Sequence, residues 1–145
     1  MIKATVHRVF YYETDAMGCV HHSNYIRWFE EARTEFFDQM GFPYSQVGKD
    51  GMSNPVLEVE CTYKRMCRFE ETVYITAKLE SFDGIKFEFS YKVIGEDGTL
   101  RVTGRSRHCF VSLETGKILN MKKIGGKYYD KMTETVGVGS VIHEE

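Results

Sequence analysis

The chain has 145 residues, 42% hydrophobic and 28% charged, the composition of a soluble globular protein large enough to bury a real core. Nineteen basic and 21 acidic residues leave a formal net charge of -2, which argues against the basic surface of a nucleic-acid-binding domain. No apolar run approaches the roughly 20 residues of a membrane span, and the start MIKATVHRVF lacks the apolar region of a signal peptide.

Residues 2–12, IKATVHRVFYY, are rich in β-branched and aromatic residues and predict a first strand. A loop with Asp15, Gly18 and the pair His21-His22 leads into a helix over about Asn24 to Met40. Tyr25, Phe29, Ala32, Phe36 and Met40 recur at spacings of three and four and share one face. Ile26, Trp28 and Phe37 widen that face until the helix needs to be embraced, not merely laid on a surface. Ser23 or Asn24 is the expected N-terminal cap, Gly41 suits a left-handed residue past the end, and Pro43 stops continuation.

The remainder alternates with a period of two. Leu57, Val59, Cys61 and Tyr63 predict one strand; Val73, Ile75, Ala77 and Leu79 a second; Phe87, Phe89, Tyr91 and Val93 a third. A last long strand is expected over about Leu100 to Leu113. Asp83-Gly84 and Asp97-Gly98 signal tight turns, so the strands they join run antiparallel. One domain over residues 1–145 is expected, α+β in class, with its core in about 2–113 and an extension over about 114–145. Within that extension Lys127 to Thr135 suits a short helix, and the last ten residues read as an end with little to hold it. The cysteines, Cys19, Cys61, Cys67 and Cys109, are scattered without metal or disulfide spacing and suit reduced thiols in the cytoplasm.

The spaced set Tyr12, Asp15, Gly18, Val20, His22, Asn24 and Tyr25, followed by Glu31-Ala32-Arg33, resembles the hotdog-fold acyl-CoA thioesterases of the hydroxybenzoyl-CoA thioesterase type. The resemblance extends through Asn54-Pro55-Val56 and Tyr63 to about Leu113. It implies a curved antiparallel sheet of about five strands around one long helix, and a homodimer or homotetramer with substrate pockets between subunits. The implied substrate is an acyl-CoA, or an acyl thioester on a carrier protein, with no cofactor. This chain departs from the family after Tyr63, where Lys64 to Glu71 replaces the usual small residues or proline and aspartate.

Thioester hydrolysis needs attack on the carbonyl carbon and stabilisation of the developing oxyanion. Asp15 is the candidate for attack, as nucleophile or as general base. An ordinary aspartate, with a pKa near ~3.9, is a feeble base for water, so either burial raises it or it forms an acyl anhydride that water cleaves. The start of the helix offers unpaired backbone N–H groups, and the resemblance aims that of His22 at the carbonyl. The His22 side chain is a second candidate catalytic group; Gly18, Val20, Asn24 and Tyr25 are candidates for shaping the substrate pocket. A metal held by Asp15, His21 and His22 lacks a ligand pattern to support it. Arg65, Arg68 and Arg105 are candidates for the phosphates of CoA, against a default of solvated surface charge, and Arg101 and Arg107 share the strand parity of Arg105. Glu30, Glu31 and Arg33 read as ordinary solvated or paired helix charges. The competing functions are an acyl-CoA-binding hotdog module without turnover and, with no acid/base dyad to support it, a hydratase or dehydratase.

Overall fold

The computed structural model describes residues 1–142. Strands β1 (Thr5–Arg8), β3 (Val56–Tyr63), β4 (Thr72–Phe82), β5 (Lys86–Gly95) and β6 (Leu100–Cys109) form one antiparallel sheet in the order β1-β4-β5-β6-β3. The long helix α1 (Ser23–Met40) packs on one face of it, the arrangement expected from the alternation and from the resemblance. Helix α2 (Tyr44–Lys49) follows, and β2 (Met52–Ser53) pairs with β7 (Val111–Ser112) in a separate ribbon.

The helix is seated by aromatic side chains that the period of three and four brings to one face. Phe29 stacks on Tyr91 with ring centroids 4.6 Å apart, and Phe36 meets Phe89 edge-on at 5.1 Å. Val73, Ile75, Ala77 and Leu79 of β4 and Phe87, Phe89, Tyr91 and Val93 of β5 all turn inward, as their alternation predicts. Irregularities in register at Leu79/Ser81, Val93/Ile94 and Val56/Glu58 provide the local bends a wrapping sheet needs.

The first strand is shorter than its composition suggests. Residues 2–12 do not run as one strand: pairing holds over Thr5–Arg8, and Tyr11–Glu13 turn in a short 3-10 helix that redirects the chain toward α1. The expected strand from Leu100 to Leu113 likewise breaks at Phe110, whose buried ring packs against Phe82, Phe87 and Tyr128. Leu57, Val59 and Tyr63 lie on the predicted strand, yet they are exposed, unlike Thr5 and His7 of β1 at the other end of the sheet.

The C-terminal segment joins the same core. Helices α3 (Met121–Ile124) and α4 (Lys127–Thr135) contribute Met121, Tyr128 and Met132 to it. Beyond them the chain pairs with the outer edge of β4 where β1 has ended: Gly137 N donates to Leu79 O at 2.7 Å and Ser140 N to Ala77 O at 2.8 Å. Val141 N then donates to Ile2 O at 2.8 Å. The end that composition left without an anchor is thus tied down through Val141; the part of that expectation on residues 143–145 lies outside the described residues. The β4 edge is thus paired, by β1 and by residues 137–140, while β3 at the far end of the sheet has no further strand beside it among the described residues.

Gly104 of β6 lies directly under the Phe29 ring, where a Cβ would collide with the ring and stand 2.9 Å from the Glu60 carbonyl oxygen. Gly104→Ala is therefore expected to lower unfolding free energy by about 1–3 kcal/mol, read as a shift in urea midpoint.

Candidate active site

The chain between the 3-10 turn and α1 is a small hairpin. Thr14 pairs with Val20, Asp15 N donates to Cys19 O at 2.8 Å, and Gly18 N to Asp15 O at 3.0 Å. Gly18 has φ 78°, a left-handed turn that glycine adopts without strain. The hairpin is fastened to the segment after β3 through Val20 N, which donates to Cys67 O at 2.9 Å, and through the pairing of Cys19 with Arg68. Asp15 sits at its tip, exposed in the single chain, with one carboxylate oxygen accepting from Met17 N at 2.8 Å.

A cleft of about 310 Å³ opens beside this tip and brings together Asp15, Val20, His22, Tyr25, Tyr63 and Arg65. Gly18 and Asn24 do not line it. Tyr25 is buried; its hydroxyl accepts from Cys67 N at 3.2 Å, and burial pushes its pKa upward, so it stays a neutral phenol. Tyr63, also neutral because burial and neighbouring Cys61 push it up to about 12, donates to the His22 carbonyl oxygen at 3.2 Å. His22 occupies the N-cap position of α1 in helical conformation. Among the described residues its backbone N–H has no hydrogen-bond acceptor, as is usual for the first donors of a helix.

The expected caps fail in an informative way. Neither Ser23 nor Asn24 caps α1: Ser23 Oγ lies 2.8 Å from His21 Nδ1, and Asn24 Nδ2 donates to the Glu13 carbonyl oxygen at 2.8 Å. Glu13 was not singled out by sequence, since one acid in Tyr-Tyr-Glu-Thr cannot be told from a turn residue. It is 4% exposed. Its Oε1 lies 2.8 Å from His7 Nε2 and accepts from Phe10 N at 2.8 Å, while Oε2 accepts from Trp28 Nε1 at 2.7 Å. Burial favours the neutral acid, but His7, the Phe10 amide and the Trp28 indole outweigh it and hold the carboxyl below its ordinary range. Burial likewise pulls His7 down, and Glu31, 3.4 Å from its Nδ1, together with Glu13 outweighs burial and holds it above its ordinary value.

Other charges depart from expectation. Arg33 is not a solvated helix residue: it is 5% exposed, donating to the hydroxyls of Tyr44 at 3.0 Å and Tyr91 at 3.1 Å. Tyr91 continues to Ser106 at 2.5 Å and Ser106 to His108 Nε2 at 2.7 Å. Burial, with the Arg33 charge nearby, pushes His108 down to about 3, so this chain of polar groups carries one positive charge. Arg101 folds inward onto Glu71 at 2.8 Å and does not share the surface of Arg105 and Arg107. Arg105 lies away from the cleft, paired with Glu88 at 2.7 Å on the outer face of the sheet, beside the larger concavity of about 510 Å³ there. Of the three arginines proposed for phosphates, Arg65 lines the cleft and Arg68 adjoins it through the backbone of Cys19.

The family profile described as the thioesterase-like superfamily matches residues 9–125. A protein of Aquifex aeolicus (strain VF5), provisionally named an esterase, is 41% identical over 116 residues, 80% of this chain and 88% of that one. YneP of Bacillus subtilis (strain 168), provisionally named an acyl-CoA thioesterase, is 34% identical over 115 residues, 79% of this chain and 83% of YneP. The crystal structure of DHNA-CoA thioesterase from Staphylococcus aureus superposes with a TM-score of 0.86 at 27% identity, covering 92% of this chain and 91% of that one.

The His7–Glu13 pair yields a pH dependence with a defined sign. A histidine whose folded pKa is raised adds stability that is complete below its unfolded value near ~6.5 and is lost as pH rises through the folded value. Urea midpoints of the wild type and His7→Gln, taken across roughly pH 5.5 to 9, should therefore differ most at the acidic end and converge as His7 deprotonates.

Proposed function

This chain belongs to the thioesterase-like superfamily, and from that premise we infer that it hydrolyses acyl-CoA thioesters with Asp15 as the reacting carboxylate. The observation that carries this reading is the cleft itself, where Asp15 and the start of α1 face one space. A thioester carbonyl there would accept from the His22 N–H, which has no acceptor among the described residues. As charge builds on that oxygen, a preorganised donor is worth about 3–4 kcal/mol of transition-state stabilisation.

Asp15 acts in one of two ways. As nucleophile it bonds to the carbonyl carbon, the C–S bond breaks with its electrons on sulfur, and water cleaves the resulting anhydride to acid and regenerated carboxylate. As general base it takes a proton from the water that attacks. His22 stands at the same mouth, its ring exposed for contact with substrate or water. Val20 and Tyr25 form the apolar wall, Gly18 shapes the hairpin, and Asn24 holds the hairpin to α1. Arg65 and Arg68 meet the CoA phosphates; Arg105, paired on the far face, is withdrawn from that role.

The working unit is a homodimer. The β3 edge exposes Val56, Leu57, Val59 and Tyr63, and Ile26 of α1 is exposed as well. An unpaired edge that is also apolar is suited to pairing with a second copy about a two-fold axis. Antiparallel pairing sets the first residues of one β3 beside the last residues of the other, and hence beside its cleft. We place the protein in the cytoplasm, in keeping with four unpaired cysteines; no helix among the described residues is long and apolar enough to cross a membrane.

Release of free thiol from a panel of short, long and aromatic acyl-CoAs tests the activity. Asp15→Asn should lower kcat by about 10²–10⁴-fold, and hydrolysis at the wild-type rate would remove Asp15 from the mechanism. Val59→Lys should turn the dimer into a monomer in sedimentation and remove most activity with it; an active monomer would count against a site between subunits.

A further inference from the structure

Glu13 does not line the cleft, yet it ties the hairpin that carries Asp15 to β1 and to the start of α1. Its carboxylate holds β1 through His7, the 3-10 turn through Phe10 N, and α1 through Trp28. Its carbonyl oxygen accepts from His21 N at 2.8 Å and from Asn24 Nδ2 at 2.8 Å. One residue therefore binds both arms of the hairpin, the one leading to Asp15 and the one leading to His22.

We propose that Glu13 is a positioning residue for the hydrolysis, setting the Asp15 carboxylate and the His22 amide at a fixed separation across the cleft. The inference rests on the reading of Asp15 as the reacting carboxylate. An ionised carboxylate is required by the donor pattern. Three donors, His7 Nε2, the Phe10 amide and the Trp28 indole, converge on two oxygens, and only a group with acceptors on both atoms satisfies them all. His7, set between Glu13 and Glu31 and held above its ordinary value by them, pairs the buried charge when it is protonated.

Glutamine at this position preserves shape but turns one acceptor into a donor. If Oε1 still faces His7 and Phe10, the new NH₂ confronts the Trp28 N–H, and the hairpin must shift against α1. A displacement of about 1 Å between reacting groups can cost about 10²-fold in rate. Glu13→Gln is thus expected to lower kcat, per folded molecule, by about 10²-fold, with KM within about threefold of wild type because the phosphate-facing arginines are untouched. Adding Trp28→Phe removes the opposing donor and should restore part of the lost kcat. A residue needed only for folding would change the folded fraction and leave kcat per folded molecule unaltered.

Wild-type kcat in Glu13→Gln, or a loss confined to KM, overturns the proposal. If Glu13→Gln does not fold, Trp28→Phe alone decides: its expected effect is a severalfold fall in kcat at constant KM, and an unchanged kcat overturns the proposal. The two readings fail separately. Active Glu13→Gln with inactive Asp15→Asn removes Glu13 and leaves Asp15 in place, whereas wild-type activity in Asp15→Asn removes both.

Discussion

The seating of Phe29 against Tyr91 and Gly104 is the contact on which the rest of the molecule depends. It brings the axis of α1 close enough to β6 for Phe36 and Phe37 to enter the rows of Phe87 and Phe89. Burying one such ring is worth about 1.5–3 kcal/mol, and the stacked and edge-on geometry adds more. With the helix body fixed, its first turn has one place to be. The hairpin carrying Asp15 is then built onto that first turn.

Two buried ionic groups sit along α1 and are satisfied differently. Near the start, Glu13 meets the facing His7, and full donors occupy both of its oxygens. Farther along, Arg33 is held by tyrosine hydroxyls, and the His108 ring beyond them is neutral. The first arrangement sets a carboxylate against a histidine whose protonated form it favours; the second spreads one charge over neutral dipoles. Both fix the rotation of the helix about its axis more tightly than apolar packing alone, since hydrogen bonds are directional and unmade ones in a buried setting cost about 1–3 kcal/mol.

The two rims of the sheet are also treated differently. The β4 rim is closed by β1 over one half and by residues 137–140 over the other. The β3 rim has no strand beyond it among the described residues and leaves Val56, Leu57, Val59 and Tyr63 exposed. This contrast explains why alternation in Leu57, Val59, Cys61 and Tyr63 predicted a strand correctly while burial did not follow. A period of two reports which side chains share a face, not whether the fold covers that face.

Local order was legible wherever one force acts over neighbouring residues. Helix α1 followed from the spacing of Tyr25, Phe29, Ala32, Phe36 and Met40, the antiparallel hairpins from Asp83-Gly84 and Asp97-Gly98, and the short helix α4 from its composition. The spaced residues from Tyr12 to Tyr25 pointed to the family and to Asp15 as the group to examine. What the sequence could not reveal were partnerships across distance: Glu13 with His7 and Trp28, Arg33 with Tyr44 and Tyr91, Arg105 with Glu88 away from the cleft. A lone acid or arginine looks the same in sequence whether it will be solvated or buried. Tertiary packing makes that choice, because only the folded chain determines which donors and acceptors lose water and must find each other.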